Sequence, residues 1–113
     1  MADIIPTVGR IVLYTISTQD VASIRDQRAR AGTYQGNDVY AGDVYPAMVI
    51  RAWGNKPDSY VNLKVMLDGY DTYWATSRKA GAEADQGFYH WMPYQIGQAA
   101  KTEAAEAALE AKA

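Results

Sequence analysis

Between Gly42 and Trp91 four short runs rich in β-branched and aromatic residues follow one another, and this punctuation constrains the fold more than any other feature. The runs are Tyr45–Trp53, Tyr60–Leu67, Thr72–Ser77 and Phe88–Trp91, divided by Gly, Asp, Asn or Pro. Val61, Leu63, Val65 and Leu67 alternate with Asn62, Lys64 and Met66, so one face of that strand enters a core and the other stays half wet. Asp68-Gly69 predicts a tight hairpin, because that pair tolerates the positive φ angles such a turn requires. The expected fold is mainly β: a small antiparallel SH3-like barrel or curled sheet, with a short helix after strand one and an Ala-rich C-terminal helix.

The flanks fill out this plan. Gly9–Ile16 is apolar on both alternating faces and reads as the first strand. Ser17 with Asp20 three residues on is a near capping box, followed by Val21, Ile24 and Arg28 at helical spacing, which predicts a helix over about 19–31 that stops at Gly32. Residues 32–43 mix Gly, Asn, Asp and Tyr without periodicity and read as a loop ordered by a partner. The β-rich domain is thus expected over 1–95, with its four-stranded module at 44–92. Residues 96–113 form a helical extension whose narrow stripe of Ala104, Ala105, Ala108 and Leu109 needs packing to be stable.

With 113 residues there is one core and little surplus burial, which favours a homo-oligomer. A formal charge of −2 disfavours general nucleic-acid binding. The absence of cysteine excludes disulfides, thiolate zinc sites and a Cys nucleophile, and gives no reason to invoke an oxidising compartment. No apolar run approaches the roughly 20 residues of a membrane span. The N-terminus lacks a signal-peptide pattern, so the expected location is the cell interior with no membrane partner.

No catalytic constellation assembles from this chain, and no cofactor or metal is expected. His90 is the single histidine and has no nucleophile in a recognisable motif beside it. Asp58, Asp68, Asp71 and Asp85 occupy turn positions that Asp favours for backbone reasons. Recognition by aromatics and a few cations remains, since rings near strand ends can stack a base while their polar tips stay wet. Arg51 shares the alternating face of Ala47, Val49 and Trp53, where a guanidinium needs a carboxylate such as Asp43 or a phosphate. The candidate ligand-binding set is Arg51, Trp53, Asn62, Tyr73, Trp74, Arg78, His90 and Trp91, with a small phosphorylated nucleotide as ligand. A Tudor-like aromatic cage of Tyr70 and Tyr73 flanked by Asp68 and Asp71 is a further reading.

In order the strands are loosely similar to SH3-like barrels of the Tudor kind. More of the chain resembles a group of small proteins encoded by tailed phages and prophages, through Thr7–Tyr14, Tyr45–Trp53, Val61–Gly69, Trp74–Ser77 and Phe88–Pro93. The Phe88-Tyr89 pair and the extension after Pro93 depart from that pattern. The resemblance implies a non-enzymatic phage accessory protein. One form is an anti-defence sponge sequestering a nucleotide second messenger; the other is a virion decoration or assembly component that uses the β module and the C-terminal helix against a virion protein.

Overall fold

A computed structural model describes residues 3–112. The elements are β1 (Ile11–Thr15), α1 (Thr18–Ala31), β2 (Val44–Ala52), β3 (Val61–Met66), β4 (Thr72–Arg78), β5 (Tyr89–His90) and α2 (Pro93–Lys112). The strands form one antiparallel sheet in the order β4-β3-β2-β1-β5. The sheet does not close. A single isolated parallel bridge, Ala80 to Tyr89, links the chain after β4 to the opposite edge strand. Helix and strand contents are roughly equal, so the fold is mixed α and β rather than mainly β. Two things shift that balance: β5 has only two residues, and α2 begins at Pro93, earlier than the Ala-rich run.

Alternation in the strands sets the core. Val12, Tyr14, Ala47, Val49, Val61, Leu63, Val65 and Ala75 project to one face and are fully buried, and α1 covers that face with Val21 and Ile24. The helix starts where the sequence predicts: Ser17 Oγ accepts from Asp20 N–H, while Asp20 Oδ2 accepts from Ser17 N–H. It ends at Gly32 in the left-handed region, φ 75°.

Among the described residues, no element covers the opposite, outer face of β2, β3 and β4. Val44, Met48, Ile50, Met66 and Trp74 are all exposed there. Past its first turns α2 also runs free of the body, giving principal extents of 63 × 23 × 21 Å and a radius of gyration of 16.5 Å. A compact chain of this length would have about 13 Å. The root of α2 is fixed by Gln95, whose Oε1 accepts from Met92 N–H and whose Nε2 donates to the Ile11 carbonyl.

Two turn expectations are corrected. The β3–β4 connection is not a two-residue turn, and Gly69 is not among the positive-φ glycines. Its missing side chain serves a close approach instead: a Cβ on Gly69 would collide with the backbone of Gln35 and Gly36, and one on Gly36 with that of Asp68 and Gly69. This contact also holds the loop over 32–43 against the protein's own body. Tyr70 N–H donates to the Gln35 carbonyl (2.6 Å), Asn37 N–H to the Asp68 carbonyl (2.9 Å), and Arg28 Nη1 to the Asn37 carbonyl (2.6 Å).

Candidate functional site

Two β-bulges flank Asn62 and build the site. On the β2 side the register shifts between Val49 and Arg51; on the β4 side the shift against β3 falls between Val61 and Leu63. Bulges re-aim side chains and terminate pairing, which is why they recur beside binding sites. The β2 bulge turns both Ile50 and Arg51 to solvent, so Arg51 does not share the buried face of Ala47 and Val49, as simple alternation predicts. It makes no ion pair with Asp43, whose carboxylate accepts instead from Tyr45 Oη and Tyr40 N–H. Its guanidinium lies over the Trp53 ring, 4.3 Å from the centroid.

Across the β4 bulge, Ser77 is the only non-glycine residue with positive φ, 55°, among those described. That conformation is uncommon for a residue with a Cβ, and such outliers concentrate at functional sites. Asn62 holds it there. The Asn62 side-chain oxygen accepts from Ser77 N–H at 2.9 Å and from Trp53 Nε1 at 3.4 Å, and these two donors identify which amide atom is the oxygen.

Trp53, Tyr60 and Ser77 line an open cleft of about 370 Å³ between these bulges. Trp53 N–H donates to the Tyr60 carbonyl, so the two rings are mounted on facing ends of β2 and the segment leading into β3. Trp53 is 56% and Tyr60 51% exposed. Each ring carries a cation: Arg51 on Trp53, and Lys79 Nζ 5.0 Å from the Tyr60 centroid. Two wet aromatic walls with two positive charges can take a flat, electron-rich ring bearing an anionic group. Tyr60, Ser77 and Lys79 are absent from the sequence-derived set; Ser77 looks like an ordinary strand residue, and only the bulge exposes its role.

The other predicted residues separate into distinct environments. Trp74 lies on the outer face, 59% exposed, and does not line the Trp53–Tyr60 cleft. Tyr73 and Arg78 point to the α1 side, where Tyr73 Oη (2.8 Å) and Arg78 Nη2 (3.0 Å) both donate to Asp20 Oδ1. Tyr14 Oη donates to Asp20 Oδ2 at 2.5 Å. Burial alone would raise the Asp20 carboxyl's pKa. The hydrogen bonds from Tyr14, Ser17 N–H and Tyr73, with the Arg78 charge, more than offset this and hold it below the usual carboxylate range. Burial and the bond to Asp20 push the Tyr14 and Tyr73 hydroxyls up. This is an internal tie that engages the polar ends of Tyr73 and Arg78.

His90 and Trp91 lie at the far edge, on and after β5. Trp91 packs edge-on against Tyr89, with centroids 5.8 Å apart and planes at 85°. His90 Nδ1 is buried without a hydrogen-bond partner among the described residues. Burial pushes the Tyr89 hydroxyl up to about 12. The Tudor-like cage does not form: Asp71 is engaged by Arg28 through Nε–Oδ2 and Nη2–Oδ1 contacts of 3.0 Å each, and Tyr73 is turned to Asp20. A larger groove of about 760 Å³ lies between residues 3–11 and α2 from Tyr94 to Glu106, where Asp3, Glu103 and Glu106 outnumber Arg10 in the lining, a poor setting for an anion. Among the described residues no group of three or more His, Asp or Glu side chains is placed to hold a metal ion. No helix of the described residues is long and apolar enough to cross a membrane.

Comparison with protein-family models, with curated proteins and with solved structures returned no match for this chain.

Proposed function

We propose that this chain is a non-enzymatic binding protein whose Trp53–Tyr60 cleft takes a small phosphorylated nucleotide. The observation that carries the reading is that the two rings lining one cleft each carry a cation, Arg51 on Trp53 and Lys79 on Tyr60. A base stacks between the rings, gaining about 1–3 kcal/mol per aromatic contact, and the phosphate meets Arg51 and Lys79. The strained Ser77, fixed by Asn62, sets the floor. In the setting that the phage resemblance implies, such a protein is an accessory sponge that lowers the free concentration of a nucleotide messenger in the host cytoplasm. The Ala80–Tyr89 bridge supports regarding the sheet as an SH3-like barrel left open at one seam.

The test is titration with linear and cyclic nucleotides, followed by tryptophan fluorescence. We expect quenching that Trp53→Phe removes. Arg51→Ala and Lys79→Ala each weaken binding by about tenfold, as the loss of one charge-assisted contact implies, with circular dichroism unchanged. An intact fold with no response to any nucleotide rejects this function. A virion or assembly role is the second reading, favoured by the uncovered sheet face and the free helix; co-purification with a virion protein distinguishes it.

A further inference from the structure

We infer that the outer face of the sheet is the docking site for α2 of a second copy of this chain, with the two copies exchanging helices. Both halves of this contact lie in one molecule and neither is covered. Met48, Ile50, Met66 and Trp74 are between 37% and 59% exposed on adjoining strands, a contiguous apolar patch of the kind that marks an interface. Register sets Lys64 between Met48 on β2 and Trp74 on β4, at the centre of the patch.

Charge selects the occupant. No outward-facing position of β2, β3 or β4 carries a carboxylate, and among the described residues neither Lys64 nor Arg51 makes an ion pair. On α2, Glu103, Glu106 and Glu110 follow the three-and-four spacing of one helix face, and the adjoining positions Ile96, Ala100, Ala107 and Ala111 are apolar or small. Small residues let that helix lie close on the sheet while the carboxylates meet Lys64. None of the three glutamates has an ion-pair partner among the described residues.

Dimensions agree. Helix α2 has 20 residues, about 30 Å long, and crosses a sheet whose strands lie about 4.8 Å apart. Because a twofold exchange makes the same contact twice, each contact need supply only half of the roughly 1,600 Å² typical of a stable interface. The distal turns of α2, exposed from Ala100 to Ala111, gain the packing that an isolated helix of this length lacks.

The experiment needs only the 113-residue chain: light scattering after size exclusion across a concentration series. Wild type is expected to be a dimer. Lys64→Glu, and separately the triple change Glu103→Lys, Glu106→Lys and Glu110→Lys, should each weaken dimerisation by about tenfold or more. Combining the two sets should restore it, a recovery that misfolding cannot produce. A wild-type monomer at all concentrations overturns the inference. So does a dimer indifferent to both charge reversals, or one weakened by each and not restored by the combination.

Discussion

Asp20 shows how much one residue can organise. It is 1% exposed, yet it accepts from two tyrosine hydroxyls, an arginine and a backbone N–H drawn from β1, β4 and the turn that opens α1. Its carboxyl titrates below the unfolded value of about 3.9, so folding favours the deprotonated form. The stability it contributes is therefore complete above that unfolded value and is lost as pH falls through the folded one. Asp71, lowered by its hydrogen bonds from Arg28, acts in the same direction. We expect urea midpoints that are level near neutrality and fall below about pH 4. Asp20→Asn should lower stability by about 2–4 kcal/mol at pH 7, because it strands Arg78 and the two hydroxyls, and should flatten the acid limb. An acid limb unchanged in that variant would remove Asp20 as its source. The cap formed by Ser17 and Asp20 was legible in the sequence because its partners are three residues apart. The tie to Tyr73 and Arg78 was not, since no local pattern signals a partner more than fifty residues away.

At the level of elements, what could be read was what depends on periodicity. The alternation of Val61, Leu63 and Val65 placed β3 and its buried face correctly, and Gly32 ended α1 as expected. What failed depends on one-residue insertions and tertiary approach. A bulge at Ile50 inverts the side assigned to Arg51, and nothing in the run from Ala47 to Trp53 marks the extra residue. Asn62, Trp53 and Arg51 are neighbours because they sit at paired strand ends, whereas Tyr73 and Trp74, adjacent in sequence, face opposite ways. For α2 a usable signal existed: Pro93 at the first helical position with Gln95 reaching back to Met92 N–H is half of a capping box. Gly69 belongs here too. Gly69→Ala should cost about 2–3 kcal/mol by lifting residues 35–37 off the β3–β4 connection, and circular dichroism melts would measure it. A loss below a few tenths of a kcal/mol would mean the loop contributes nothing to stability.

For the whole molecule, the dominant fact is the contrast between a packed half and a bare half. One sheet face is sealed by α1; the other, like most of α2, meets only solvent. Hydrogen exchange should reveal this as concentration dependence: amides beyond about Ala104 exchange freely in dilute protein and gain protection as the protein is concentrated, while β2 and β3 stay protected throughout. Protection that ignores concentration would place the stabilising contacts within one chain. The Asp20 tie also bears on synthesis. A ribosome delivers Asp20 some 58 residues before Arg78, so while β1 to β3 are emerging, the carboxylate has no countercharge to accompany it into a core. The expected consequence is that α1 reaches its final seat on the sheet only after β4 has left the exit tunnel, which makes commitment to the fold a late event in synthesis.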